Sequence, residues 1–106
     1  MGKDSHIMSF IDIENQQIRR DLLSLLNTDG DFAMNEMSLL AGMKSLGNPI
    51  ARDTLTTQLH WLQEQALIAL KDIGNTGITI AKLTQRGADV AQGLATVPNI
   101  ARMPLD

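Results

Sequence analysis

Apolar residues recur at helical spacing over residues 12–27. Ile11, Ile18, Leu22, Leu25 and Leu26 fall on one side and predict a first helix, with Leu23 off that stripe. Asn27-Thr28-Asp29-Gly30-Asp31 is dense in turn formers and ends it. The short apolar run Phe32-Ala33-Met34 predicts a stub of strand. Asn35 then stands where an N-cap belongs, and Glu36 falls in the first turn, where the helix dipole favours an acid. Leu39, Leu40, Met43 and Leu46 form the inner side of this second helix, and Gly47 supplies the stop. Asn48-Pro49-Ile50 bridges into a third helix over about residues 51–65, whose inner face is Leu55, Leu59, Leu62 and Ala66. Arg52, Asp53, Thr56, Thr57, His60 and Gln63 lie away from that face. Two helices joined by a turn that continues neither form a helix-turn-helix pattern.

The period then changes. Leu67-Ile68-Ala69-Leu70-Lys71-Asp72-Ile73 and Ile78-Thr79-Ile80-Ala81-Lys82-Leu83 are strand-like, and Gly74-Asn75-Thr76-Gly77 between them is hairpin chemistry. Ile78 and Ile80 share one face; Thr79 and Ala81 share the other. Thr84 caps a last helix over roughly 85–95, with Val90, Ala91 and Leu94 inward. The expected architecture is one α+β domain, mostly helical: a winged helix-turn-helix with a two-stranded wing. Its core holds Leu39, Leu40, Leu46, Leu55, Leu59 and Leu62 between the first helix and the wing. Trp61 lies beside the third helix's leucine stripe and is expected to pack under the wing or the last helix. Residues 1–7 read as a leader outside the fold, 8–96 as the domain, and 97–106, which contain Pro98 and Pro104, as a tail.

Composition narrows the function classes. At 106 residues the chain has room for one core and little for a deep catalytic cleft. A hydrophobic fraction of 43% with 20% charged residues suits a folded domain, and with only 3% aromatics Leu, Ile, Ala and Met must fill its core. Cysteine is absent, which removes disulfides and thiolate metal sites and fits a cytoplasmic location. No apolar run approaches the roughly 20 residues of a membrane span, and the first residues lack the apolar centre of a signal peptide. Asp29-Gly30-Asp31 does not match a calcium loop, and Gly74-Asn75-Thr76-Gly77 lacks the lysine and helix of a phosphate loop. His60 stands without clustered ligands, so neither a metal nor another cofactor is expected, and no motif for catalysis is found. The reading is of a binding module, not an enzyme.

Two segments carry a resemblance. Leu59-His60-Trp61-Leu62-Gln63-Glu64-Gln65-Ala66-Leu67-Ile68 resembles the end of the recognition helix and the first wing strand of ArsR/MarR-like regulators, which commonly show Leu-x-x-Leu-x-x-x-Gly-Leu-Ile/Val. Ala66 stands here in place of the glycine. Leu83-Thr84-Gln85-Arg86-Gly87 resembles the Leu-Thr-x-x-Gly that opens their last helix. The chain is also similar to a small ArsR-like family of Mu-like prophages, on Asn35-Glu36, Leu46-Gly47, Leu59 to Gln65, Leu83 to Gly93 and Val97-Pro98. The resemblance implies the winged-helix fold and a phage origin, and no particular activity.

The third helix is the first candidate site. In a major groove, Arg52 would meet guanine or phosphate, Thr56 and Thr57 phosphate or a thymine methyl, and His60 or Gln63 base edges. Lys71 and Lys82 on the wing and Arg86 at the start of the last helix would reach the backbone of double-stranded DNA. Arg19 and Arg20 are further phosphate candidates or partners of a nearby acid. Against this stand a formal net charge of −3, Asp53 and Glu64 on the same helix, and a wing tip without cations. The expectation is a phage DNA-binding regulator, acting as a homodimer through Phe10, Ile13, Leu23 and the last helix. The alternative is an adaptor that keeps the fold, does not bind DNA, and binds a phage or host protein with Trp61 as an anchor.

Overall fold

The computed structural model describes residues 9–103. Helix α1, Phe10–Thr28, opens on a capping box: the Ser9 hydroxyl accepts from the Asp12 amide, and the Asp12 carboxylate accepts from the Ser9 amide. Strand β1, Ala33–Asn35, leads into α2, Glu36–Ser45, where the Asn35 side chain caps the Ser38 amide at 2.8 Å. Helix α3, Arg52–Glu64, follows the turn, and then come β2, Ile68–Ile73, β3, Ile78–Leu83, and α4, Gln85–Ala91. The three strands form one antiparallel sheet in the order β1-β3-β2. The expected stub is therefore a sheet member: Ala33 pairs with Lys82 and Asn35 with Ile80, bracing the root of the β2–β3 wing. This is the α+β winged-helix arrangement read from the sequence. Among the described residues no helix is long and apolar enough to cross a membrane.

One core joins every element. Ile18, Leu22, Leu23 and Leu26 of α1, Leu39 and Met43 of α2, and Leu55, Leu59 and Leu62 of α3 are buried together with Leu67, Ile68, Ala81, Leu83 and Val90. Leu25, off that fully buried set, packs against Gly42. A Cβ at Gly42 would come within 2.8 Å of Leu25 Cδ2, so the missing side chain lets α2 approach α1. Leu23 was expected on a second, outward surface and is instead fully buried, because α4 closes over that side of α1.

Three helices end in the same way. After α2 the Gly47 amide donates to Lys44 and the Asn48 amide to Met43; after α3 Ala66 donates to Gln63 and Leu67 to Leu62; after α4 Gly93 donates to Val90 and Leu94 to Asp89. Each is a Schellman ending, with a left-handed residue turning the chain: Gly47 at φ +80°, Ala66 at +62° and Gly93 at +79°. Two corrections follow. Leu46, expected in the core, is 52% exposed because it is the cap residue, already leaving the helix. Leu94, expected on the inner face, is 74% exposed, since α4 stops at Ala91 and Gly93 swings the next residue outward. Leu40 is only half-buried, and Ile11 stands free on the first turn of α1.

The Leu-Thr-x-x-Gly segment shows its physical purpose. The Thr84 hydroxyl accepts from the Gly87 amide at 3.0 Å and donates to the Ala66 carbonyl at 2.7 Å, while the Thr84 amide donates to Leu67 O. This draws α4 so close to the end of α3 that a Cβ on Gly87 would lie 1.9 Å from the Leu67 carbonyl oxygen. Residues 97–103, read as part of a tail, run back along α1: Val97 is buried, and Ile100 and Met103 pack on the core. The suggested leader, residues 1–7, lies outside the described residues.

Three stability outcomes are expected in chemical denaturation. Leu59→Ala should cost on the order of 2–5 kcal/mol, and a loss below about half a kcal/mol would contradict its placement in the core. Gly87→Ala should cost at least about 1–3 kcal/mol, because the contact it creates is with backbone and cannot relax. Ala66→Gly should go the other way. A left-handed residue with a Cβ costs about 1–2 kcal/mol. Restoring glycine returns part of this, offset by roughly 0.5–1 kcal/mol of added unfolded-state entropy. A destabilised Ala66→Gly chain would contradict the conformation at this turn.

Candidate nucleic-acid interface

Helix α3 divides cleanly into two faces. Leu55, Gln58, Leu59 and Leu62 are buried, whereas Arg52, Thr56, Thr57, His60 and Gln63 are exposed, so all five candidates on this helix share its solvent side. Arg52 opens the helix and reaches Glu36 of α2 at 3.6 Å. The Thr56 hydroxyl donates back to the Arg52 carbonyl at 3.1 Å. Asp53 and Glu64 are exposed on the same helix and lower the positive potential of the face.

The wing contributes on one side only. Register pairs Lys71 with Ile80 and Lys82 with Ala69, so both lysines stand on the sheet face opposite Ile68, Leu70 and Ala81. That outer face also carries Ile73 and Ile78, directly across from each other near the turn. Arg86 is placed differently. Its Nε donates to the Gln65 carbonyl at 3.1 Å, capping the C-terminal end of α3, where a cation suits the helix dipole. Arg52 and Arg86 thus mark opposite ends of α3, about 18 Å apart at 1.5 Å per residue. The structure brings the α3 candidates together and places Lys71 with Lys82. It does not join all the cations into one stripe.

The mounting of α3 rests on residues that the sequence reading assigned otherwise or passed over. Gln58 is 4% exposed. Its Oε1 accepts from Arg19 Nε at 2.8 Å, and its Nε2 donates to Asn15 Oδ1 at 3.1 Å. The Arg19 guanidinium lies 3.9 Å over the Trp61 ring and also donates to the Asn99 carbonyl at 2.9 Å. Burial lowers the Arg19 pKa, partly opposed by the charge of Asp12. Trp61 therefore packs under α1, not under the wing or α4: three residues after Gln58, it lies on the α3 face turned to Arg19. Half-buried there, it is a poor interface anchor. Arg20, by contrast, sits 3.4 Å from Asp21 as expected of a surface pair, and Asp21 also accepts from the Asn48 side chain in the α2–α3 turn. A polar residue three positions after Leu55, on the same arc, was the signal that could have singled out Gln58.

No family model matches the chain. An uncharacterized protein of Escherichia phage Mu, gp26, is 33% identical over 81 residues, covering 76% of this chain and 80% of its own length. An uncharacterized protein of Haemophilus influenzae strain Rd is 34% identical over 79 residues, covering 74% and 76%. Among solved structures, the hsRosR-S1 complex superposes with a TM-score of 0.61 at 14% identity, covering 85% of this chain and 71% of that one. The hsRosR-S4 complex gives 0.60 at 13%, covering 91% and 83%. At such identities these two speak for the fold. The sequence matches go further: this chain belongs to the family of phage Mu gp26.

Proposed function

We propose that this chain is a phage-encoded DNA-binding regulator that reads a duplex with α3 and works as a homodimer. The observation that carries the reading is the segregation of α3: a leucine face holds it in the core, and its other face offers Thr56, Thr57, His60 and Gln63 to solvent as base-edge partners. Lys71 and Lys82 on the outer face of the wing and Arg86 beside the end of α3 are the backbone contacts. The Arg52–Glu36 pair does not argue against a role for Arg52. The Arg52 side chain is 66% exposed and open to a guanine or phosphate, whereas Glu36, at 15%, would have to give up its partner.

The dimer reading rests on the N-terminal turn of α1. Phe10 and Ile13 are exposed there and border a groove with Leu46 and Pro49 of the α2–α3 turn. Helix-turn-helix sites are often two-fold, and a protomer with few cations gains most from pairing. The adaptor reading draws on the same apolar surface, now without Trp61.

Selection from random duplex DNA at low salt should enrich a motif. Binding to it should weaken steeply as salt rises, and Arg52→Ala should cost roughly 1–3 kcal/mol if Arg52 makes a bidentate base contact. A selection that enriches nothing rejects the regulator reading and favours the adaptor. Sedimentation equilibrium at micromolar concentration should give twice the chain mass, and a strictly monomeric mass rejects the dimer.

A further inference from the structure

A cavity of about 550 Å³ lies between the end of α4 and residues 97–103. Its volume falls within the ~300–1,000 Å³ of ordinary small-molecule sites. Elsewhere the chain closes its interior with leucine, but here the lining is Gly93, Ala95 and Ala101 around Val97 and Ile100, and the side chains are too small to meet. Leu94, next in the chain after Gly93, is turned away from the space by that left-handed residue and does not fill it. The outer wall is also held fast. The Ala101 amide donates to Gln16 O at 3.2 Å, Arg19 donates to Asn99 O, and the Ser24 hydroxyl lies 3.6 Å from Met103 Sδ, three ties to α1 that keep the segment from collapsing inward. Among the described residues, Arg102 is the one charge that lines the space, no carboxylate lies in the lining, and Arg102 has no ion pair.

We propose that this cavity binds a small aliphatic monocarboxylate, its chain among Val97, Ala95, Ile100 and Met103 and its carboxylate on Arg102. A partly open, mostly apolar cleft with a guanidinium at its rim, unpaired among the described residues, suits an amphipathic anion. The chain supplies the burial, and the charge-assisted hydrogen bond supplies orientation. The site does not depend on DNA binding and stands or falls separately from it.

The test is a titration of the full chain, with labelled Ala, Val, Ile and Met methyl groups, with octanoate below its micelle-forming concentration, alongside 1-octanol. Saturable shifts should be confined to the methyls of Val90, Ala95, Val97, Ile100, Ala101 and Met103. Arg102→Gln should weaken octanoate by about tenfold or more, read from the titration of each chain against its own ligand-free spectrum. Lys82→Gln should leave it unchanged, and octanol should bind wild type no better than octanoate binds Arg102→Gln. Shifts spread equally over Ile11 and Ile13, octanol binding as tightly as octanoate, or an Arg102→Gln chain of unaltered affinity would each overturn the proposal.

Discussion

The placement of α3 depends on one buried amide. Gln58 is the single buried polar side chain among the described residues, and it sits in the middle of the leucine face. Leaving such a group unpaired costs about 1–3 kcal/mol, so α3 is held at the one rotation and axial position that satisfies both of its ends. Leucines alone would tolerate a small roll of the helix, because dispersion contacts are non-directional. The bonds to Arg19 and Asn15 do not tolerate it. That same rotation determines which residues α3 turns outward. The outer face is thus set by a contact on the opposite side of the helix.

Arg19 bears the cost of this arrangement. Its guanidinium is partly stripped of water and, among the described residues, meets no carboxylate at ion-pair distance; burial leads the lowering of its pKa. It is compensated by three weaker partners instead of one strong one: the Gln58 amide oxygen, the Asn99 carbonyl and the Trp61 ring face. Since these lie on α3 and on the segment after α4, one side chain ties together three stretches far apart in sequence. Energies measured by removing any member of this group will not add.

The elements were legible in the sequence because they rest on local physics. Helical periodicity, the Asn35 and Thr84 caps, the stops at Gly47 and the hairpin turn all act within a few residues. What was misread depends on distant packing or on where a helix stops. Leu23 looked like a second surface because no local pattern announces that α4 covers it. Leu46 and Leu94 continue a stripe whose helix has already ended. Trp61 and Arg19 meet across 42 positions, and neither residue type by itself names the other. The candidate residues on α3 were legible as an outward face, since that is periodicity again. The structural use of Arg86 was not, because a cation capping another helix's carbonyl leaves no trace in spacing.

The short length of β1 has a consequence for motion. It pairs only with Ile80, Ala81 and Lys82, so the sheet is three strands wide at the root of the wing and two strands wide beyond it. Near the turn, Ile73 and Ile78 have no core beneath them, and the two-stranded ribbon there depends on its own ladder, which is marginal in water. The support under β3 therefore falls in steps, from the three-stranded root near Leu83 to the two-stranded tip at Ile78. The wing is built as a cantilever: its clamped end keeps register with the core, and its free end has nothing beneath it to oppose bending.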